Sequence, residues 1–168
     1  MEPAVDSGQA PVSTSLDGVE AFTVTYPDGA HNAETLFVDW TTGDLYIVSK
    51  EEDGVSGVFY AKKLPTIGTD ISLERVATLT FGADPLTGSR STTGGDMSRD
   101  GATIAIRTYS QIFVWKRDPG KSVAEAMQET LCDKITHSER QGESVAIAAD
   151  GKGIFTPVSY THLTLPTN

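Results

Sequence analysis

The stretch AETLFVDWTTGDLYIVSK, residues 33–50, carries the reading of this fold. Its two apolar runs, TLFVDW (35–40) and LYIVSK (45–50), are rich in β-branched and aromatic residues. Between them stands Thr41-Thr42-Gly43-Asp44, whose glycine and short polar side chains suit a turn, so the stretch reads as a β-hairpin. The same plan returns in GGDMSRDGATIAIRTY (94–109) and GESVAIAADGKGIFTPVS (142–159). Each copy has an acidic residue, a first strand, a glycine turn and a second apolar strand.

The turn glycines are Gly43, Gly101 and Gly151, so the copies are spaced by 58 and then 50 residues. That is near the roughly 40–50 residues of propeller repeats. Further β-type segments lie between them: AFTVTY (21–26), GVFYAKKL (57–64), LERVATLTF (73–81) and QIFVWKR (111–117). Each repeat therefore has room for four strands, the content of one β-propeller blade. A β-sandwich would also show short strands and frequent turns, but the repeated hairpin favours the propeller. Three repeats fall short of the roughly four to eight blades that close a ring. The expected fold is all-β: a partial propeller of about three four-stranded blades over residues 19–156, a fragment of a longer domain. One short helix is expected near 122–131, where Ser122 and Glu125 have capping-box spacing at the start of SVAEAMQETL.

The two ends read differently. Residues 1–18 are rich in Pro, Ser, Gly and Asp and read as a disordered or linker segment. The closing stretch VSYTHLTLPTN (158–168) has no acid, lysine or arginine. It resembles the translation of a widely used transposon sequencing adaptor, and Pro157 is among the residues that the adaptor's upstream bases allow. Residues 157–168 are therefore expected to be an artefact, set aside from fold reasoning.

Composition narrows the function. Thirteen Lys plus Arg against 23 Asp plus Glu leave a net charge of −10. Such a surface repels nucleic acid and anionic membranes and suits cations or basic partners. No apolar run is long enough to span a membrane, and residues 1–18 lack the pattern of a signal peptide. A lone Cys132 and three scattered histidines allow no internal disulfide and no zinc cluster. DPGKS (118–122) lacks the first glycine of a phosphate-binding loop, since position 115 is Trp. TGGD (93–96) has no lysine, and GVSG (54–57) lacks the spacing of a nucleophile elbow. His31 and His137 could join a catalytic triad only with distant residues and read more simply as turn or surface groups. Trp40 and Trp115 both fall in strands, as core or inter-blade packing.

The run DGAHNAETLFVDWTTGDLYIVSKEEDGVSGVFYAKKL (28–64), with DMSRDGATIAIRTY and GESVAIAADGKGIF, resembles secreted bacterial-type β-propellers of the phytase-like and esterase-like class. The resemblance implies an extracytoplasmic location and calcium ions held over a central channel, where metal neutralises phosphate and activates water. The acids matching such positions are Glu34, Asp96 and Glu143. Asp96 fits less well: it lies five residues before its turn glycine, against nine for Glu34 and eight for Glu143. Capping of strand amides is the simpler role for all three. Lys50 and Arg107 follow their turn glycines by seven and six residues. They could face an anionic substrate at the channel mouth, or form surface or inter-blade salt bridges. Glu51, Glu52 and Asp53 read as a solvated turn. The expected function is a module binding a small anionic ligand or a protein partner, and the alternative is a calcium-dependent phosphoesterase.

Overall fold

In this computed structural model the described residues are 15, 18, 19, 21–63, 70–82, 90–136 and 142–157. The expectations for 158–168, for most of 1–18 and for His137 lie outside them. Two four-stranded antiparallel sheets dominate. The first is ordered β2 (Ala33–Val38), β3 (Leu45–Ser49), β4 (Val55–Ala61) and β6 (Glu74–Thr80). The second runs β7 (Thr92–Met97), β8 (Thr103–Thr108), β9 (Gln111–Lys116) and β10 (Asp133–Thr136). A third hairpin pairs β11 (Ala146–Ile147) with β12 (Ile154–Phe155), and β1 (Val24–Thr25) lies parallel to β5 (Ile71–Ser72). The fold is thus a partial β-propeller: two complete blades and the opening hairpin of another.

The three hairpins repeat in detail. In each, the residue that follows the first strand donates its amide across the turn, Asp39 to the Asp44 carbonyl, Ser98 to Thr103 and Ala148 to Gly153. Asp39, Ser98 and Ala148 open the turns and accept from Gly43, Gly101 and Gly151. Those glycines have φ of 78°, 71° and 70°, a left-handed conformation that costs other residues strain. A register shift also recurs, between Ala33 and Thr35 in β2 and between Thr92 and Gly94 in β7.

The inner strands β2 and β7 lie side by side, and glycine makes this possible. A Cβ on Gly95 would sit 2.7 Å from the Thr35 methyl and 2.8 Å from Ile106 Cδ1. On the opposite side, a Cβ on Gly94 would sit 3.0 Å from the Glu143 carbonyl oxygen. TTGGDM is thus an inner strand despite its poor β-propensity, because glycine in a strand permits a close backbone approach.

Alternation of side chains feeds two faces of each blade. Tyr46 and Val48 of β3 join Ile104 and Ile106 of β8, Phe113 and Trp115 of β9 in one core between the blades. Leu45 and Ile47 turn the other way, with Phe59 and Leu73, under the segment holding Val24 and Tyr26. Ala105, Ile112 and Val114 face the third hairpin through Val145, Ile147 and Ile154. Each large side chain so buried contributes about 1.5–3 kcal/mol. No helix among the described residues is long and apolar enough to cross a membrane.

Three local expectations change. The helix α1 spans only Val123–Met127, with the expected capping box at Ser122 and Glu125. The chain leaves it at Gln128 because Cys132 N–H must reach the Val114 carbonyl and start β10, the outer strand missing from the strands read in the sequence. Trp40 lies in the first turn rather than a strand, 56% exposed beneath the Arg99 guanidinium, whereas Trp115 is core as expected.

Candidate functional site

The sequence-derived charges are placed first by register. Ser49 pairs with Ala33, and Thr108 pairs with Thr92, at equivalent points of the two hairpins. Arg107 is therefore the counterpart of Val48, and Tyr109 that of Lys50. Counting from the glycines misaligned them because both turns hold six residues, 39–44 and 98–103, but Gly43 is the fifth of its six and Gly101 the fourth.

Arg107 is fully buried rather than facing a channel mouth. One of its terminal nitrogens donates to the Ser144 carbonyl at 3.0 Å, and a Cβ on Gly142 would collide with the guanidinium. Its role is to fasten the third hairpin to the second blade. Lys50 Nζ donates to Glu34 Oε1 at 2.7 Å and to the Tyr109 hydroxyl at 2.8 Å, bridging the first blade to the second. Burial acts to lower the pKa of this ammonium, but the Glu34 and Tyr109 hydrogen bonds outweigh it and hold the value above 10.5. The Lys50 ion pair with Glu34 lies within one blade, and the inter-blade bonds of the two cations go to the Tyr109 hydroxyl and the Ser144 carbonyl.

The acids do not gather. Glu34 is engaged by Lys50. Asp96 Oδ2 accepts from the Ile147 amide at 2.7 Å, an amide-satisfying bond from β7 to the third hairpin. Five residues before each turn-opening residue stand Glu34, Thr93 and Glu143, so the true counterpart of the two glutamates is Thr93, whose hydroxyl donates to the Gly142 carbonyl. Among the described residues no group of three His, Cys, Asp or Glu could hold a metal ion. A hard cation wants six to eight oxygens, and these residues do not fit calcium. His31 lies between the turn at 27–29 and β2, bonded to Asp28 at 2.8 Å.

The turn face of the molecule carries a cleft that sequence reading missed. It is about 510 Å³ and opens between the first blade and the approach to α1. One wall comes from the first hairpin and its neighbours: Asp44 at the turn, Tyr46 of β3, Tyr60 of β4, Glu74 and Val76 of β6. The other wall is Arg117, then Gly120 to Ala124, the end of the DPGKS turn and the start of α1.

The cleft's charges divide into two kinds. Arg117 NH1 donates to Asp39 Oδ2 at 2.6 Å, while Asp39 Oδ1 accepts from the Thr41 amide and hydroxyl. Burial would raise the Asp39 pKa, but the Thr41 bonds and Arg117 outweigh it and hold it below 3.8. Lys121 is taken up by Asp118 and Glu129. Asp44 accepts from the Lys63 amide at 2.8 Å and the Tyr60 hydroxyl at 3.4 Å. Neither Asp44 nor Glu74 has an ion-pair partner among the described residues.

Tyr46 and Tyr60 stand opposite each other across β3 and β4, ring centroids 5.3 Å apart. Tyr46 is only 5% exposed, and its hydroxyl makes no hydrogen bond to a described residue. Burial raises its pKa strongly, with the negative charge of Asp44 next. Burial and then Asp44 raise that of Tyr60 too. The visible signal was aromatic residues at paired strand positions next to an acid, which no single-strand reading combines.

No family model matches the chain, and no curated protein matches it. Among solved structures, the crystal structure of Saccharomyces cerevisiae Sqt1 is similar at a TM-score of 0.45 and 10% identity. The match covers 72% of this chain and 27% of that one.

Proposed function

We propose that this chain is a binding module, with the cleft between its first blade and α1 as the place where a partner is held. The observation that carries this reading is the cleft itself: its volume falls in the roughly 300–1,000 Å³ of ligand pockets, and two tyrosines, Tyr46 and Tyr60, line it. Protein partners fit better than small anions. The cations once assigned to an anionic ligand, Lys50 and Arg107, are spent on inter-blade bonds, and the net charge of −10 opposes anions. Nothing favours the phosphoesterase alternative, whose acids lie apart.

Amide NMR of the chain against a panel of charged and neutral amino-acid amides tests this. Shifts should concentrate on residues 44–46, 60, 74–76 and 117–124. Shifts confined to the Lys50 and Tyr109 end would contradict it.

A further inference from the structure

The geometry points to an arginine side chain of a protein partner as the group that this cleft takes, with Asp44 and Glu74 meeting its guanidinium and Tyr46 and Tyr60 walling it. The inference rests on the cleft being the binding site and deepens that reading by naming the chemistry.

Charge selects a cation. The cleft's own bases are neutralised at home, Arg117 by Asp39 and Lys121 by Asp118 and Glu129. Asp44 and Glu74 are left as uncompensated carboxylates on the same wall. Each carboxylate has about four acceptor positions, and Asp44 uses one on Lys63 and one, weakly, on Tyr60.

The aromatic wall selects a planar cation over a compact one. A guanidinium stacks on an aromatic ring and forks to a carboxylate, whereas an ammonium is a strongly hydrated point charge. The Tyr46 hydroxyl supplies an acceptor that no described residue uses, suited to one of the guanidinium's five donors. Val76 and Val123 give the apolar surface on which the arginine stem can lie. Burial is the main cause of the raised pKa of both tyrosines, and the Asp44 charge that adds to it lies on the wall the ligand would meet.

The test is a titration of the full chain with N-acetyl-arginine-N-methylamide, followed by amide NMR, beside the neutral, nearly isosteric citrulline counterpart. The arginine probe should bind with a dissociation constant on the order of 1 mM, as its size allows, and the citrulline probe at least about tenfold more weakly. Glu74→Gln, at an exposed position, and Asp44→Asn should each weaken the arginine probe about tenfold. Tyr46→Phe, which keeps the ring, should weaken it a few-fold. Equal binding of the two probes, or variants that bind as wild type does, would overturn the arginine assignment and leave the cleft as a site. No shift at the cleft with any probe, charged or neutral, would overturn both.

Discussion

Arg117 and Asp39 join the blades at the turn face, and replacing Arg117 with Met isolates that link. The substitution keeps most of the stem but removes the donor that reaches Asp39 Oδ2 at 2.6 Å. Asp39 is 1% exposed, so the carboxylate left behind stays desolvated. Breaking a buried pair from one side costs about 3–5 kcal/mol. The two Thr41 bonds remain on Oδ1, which places the expected loss at the lower end, about 3 kcal/mol. Asp39→Asn in the same background removes the stranded charge and should restore a large part of the loss, a coupling of about 1–3 kcal/mol.

Urea unfolding at neutral pH reads both. The acid limb adds a sign. The folded-state pKa of Asp39 lies below its ordinary 3.8, so its contribution is full above that value and is lost as pH falls through the folded one. The gap between wild type and Arg117→Met should therefore be constant from neutral pH down to about 5 and shrink below about 4. A neutral-pH loss under about 0.5 kcal/mol, the size of an ordinary surface substitution, would refute a buried inter-blade pair.

Gly95→Ala forces a methyl into the 2.7 Å gap to Thr35 and should cost about 1–3 kcal/mol by thermal or urea melts, as overpacking does; an unchanged midpoint would mean the inner strands are farther apart. The two tryptophans should separate sharply. Trp40→Ser should stay within about 0.5 kcal/mol of wild type, while Trp115→Ala should lose about 3–5 kcal/mol. Ser122→Ala removes one half of the capping box and should cost about 1 kcal/mol, and by loosening the 120–124 wall it should also weaken any ligand held in the cleft. Lys50→Met should lower stability without changing binding at the cleft, since Lys50 lies at the opposite end of β3.

Legibility followed the range of the forces involved. Hairpin turns are local, set by glycine and by alternation of side chains, and all three were readable, as was the capping box. Trp40 misled because a strand and the turn after it share composition, and only the register shows that β2 ends at Val38. TTGGDM hid as a strand because its glycines answer neighbours from other blades, Thr35 on one side and Glu143 on the other. Asp96 was matched with Glu34 by chemical likeness, while the ladder matches Glu34 with Thr93, a residue of different chemistry. The cleft needed side chains from three strands and a distant turn, a combination that exists only once the first blade is packed against the second.

That packing is most directly tested by nuclear Overhauser contacts between the Thr35 γ-methyl and the Gly95 α-protons, which belong to the inner strands of different blades. The expected result is a strong cross-peak, alongside the within-blade pairs Val38–Leu45 and Met97–Ile104. Intact within-blade contacts with no Thr35–Gly95 cross-peak would contradict the side-by-side arrangement of blades on which the cleft depends.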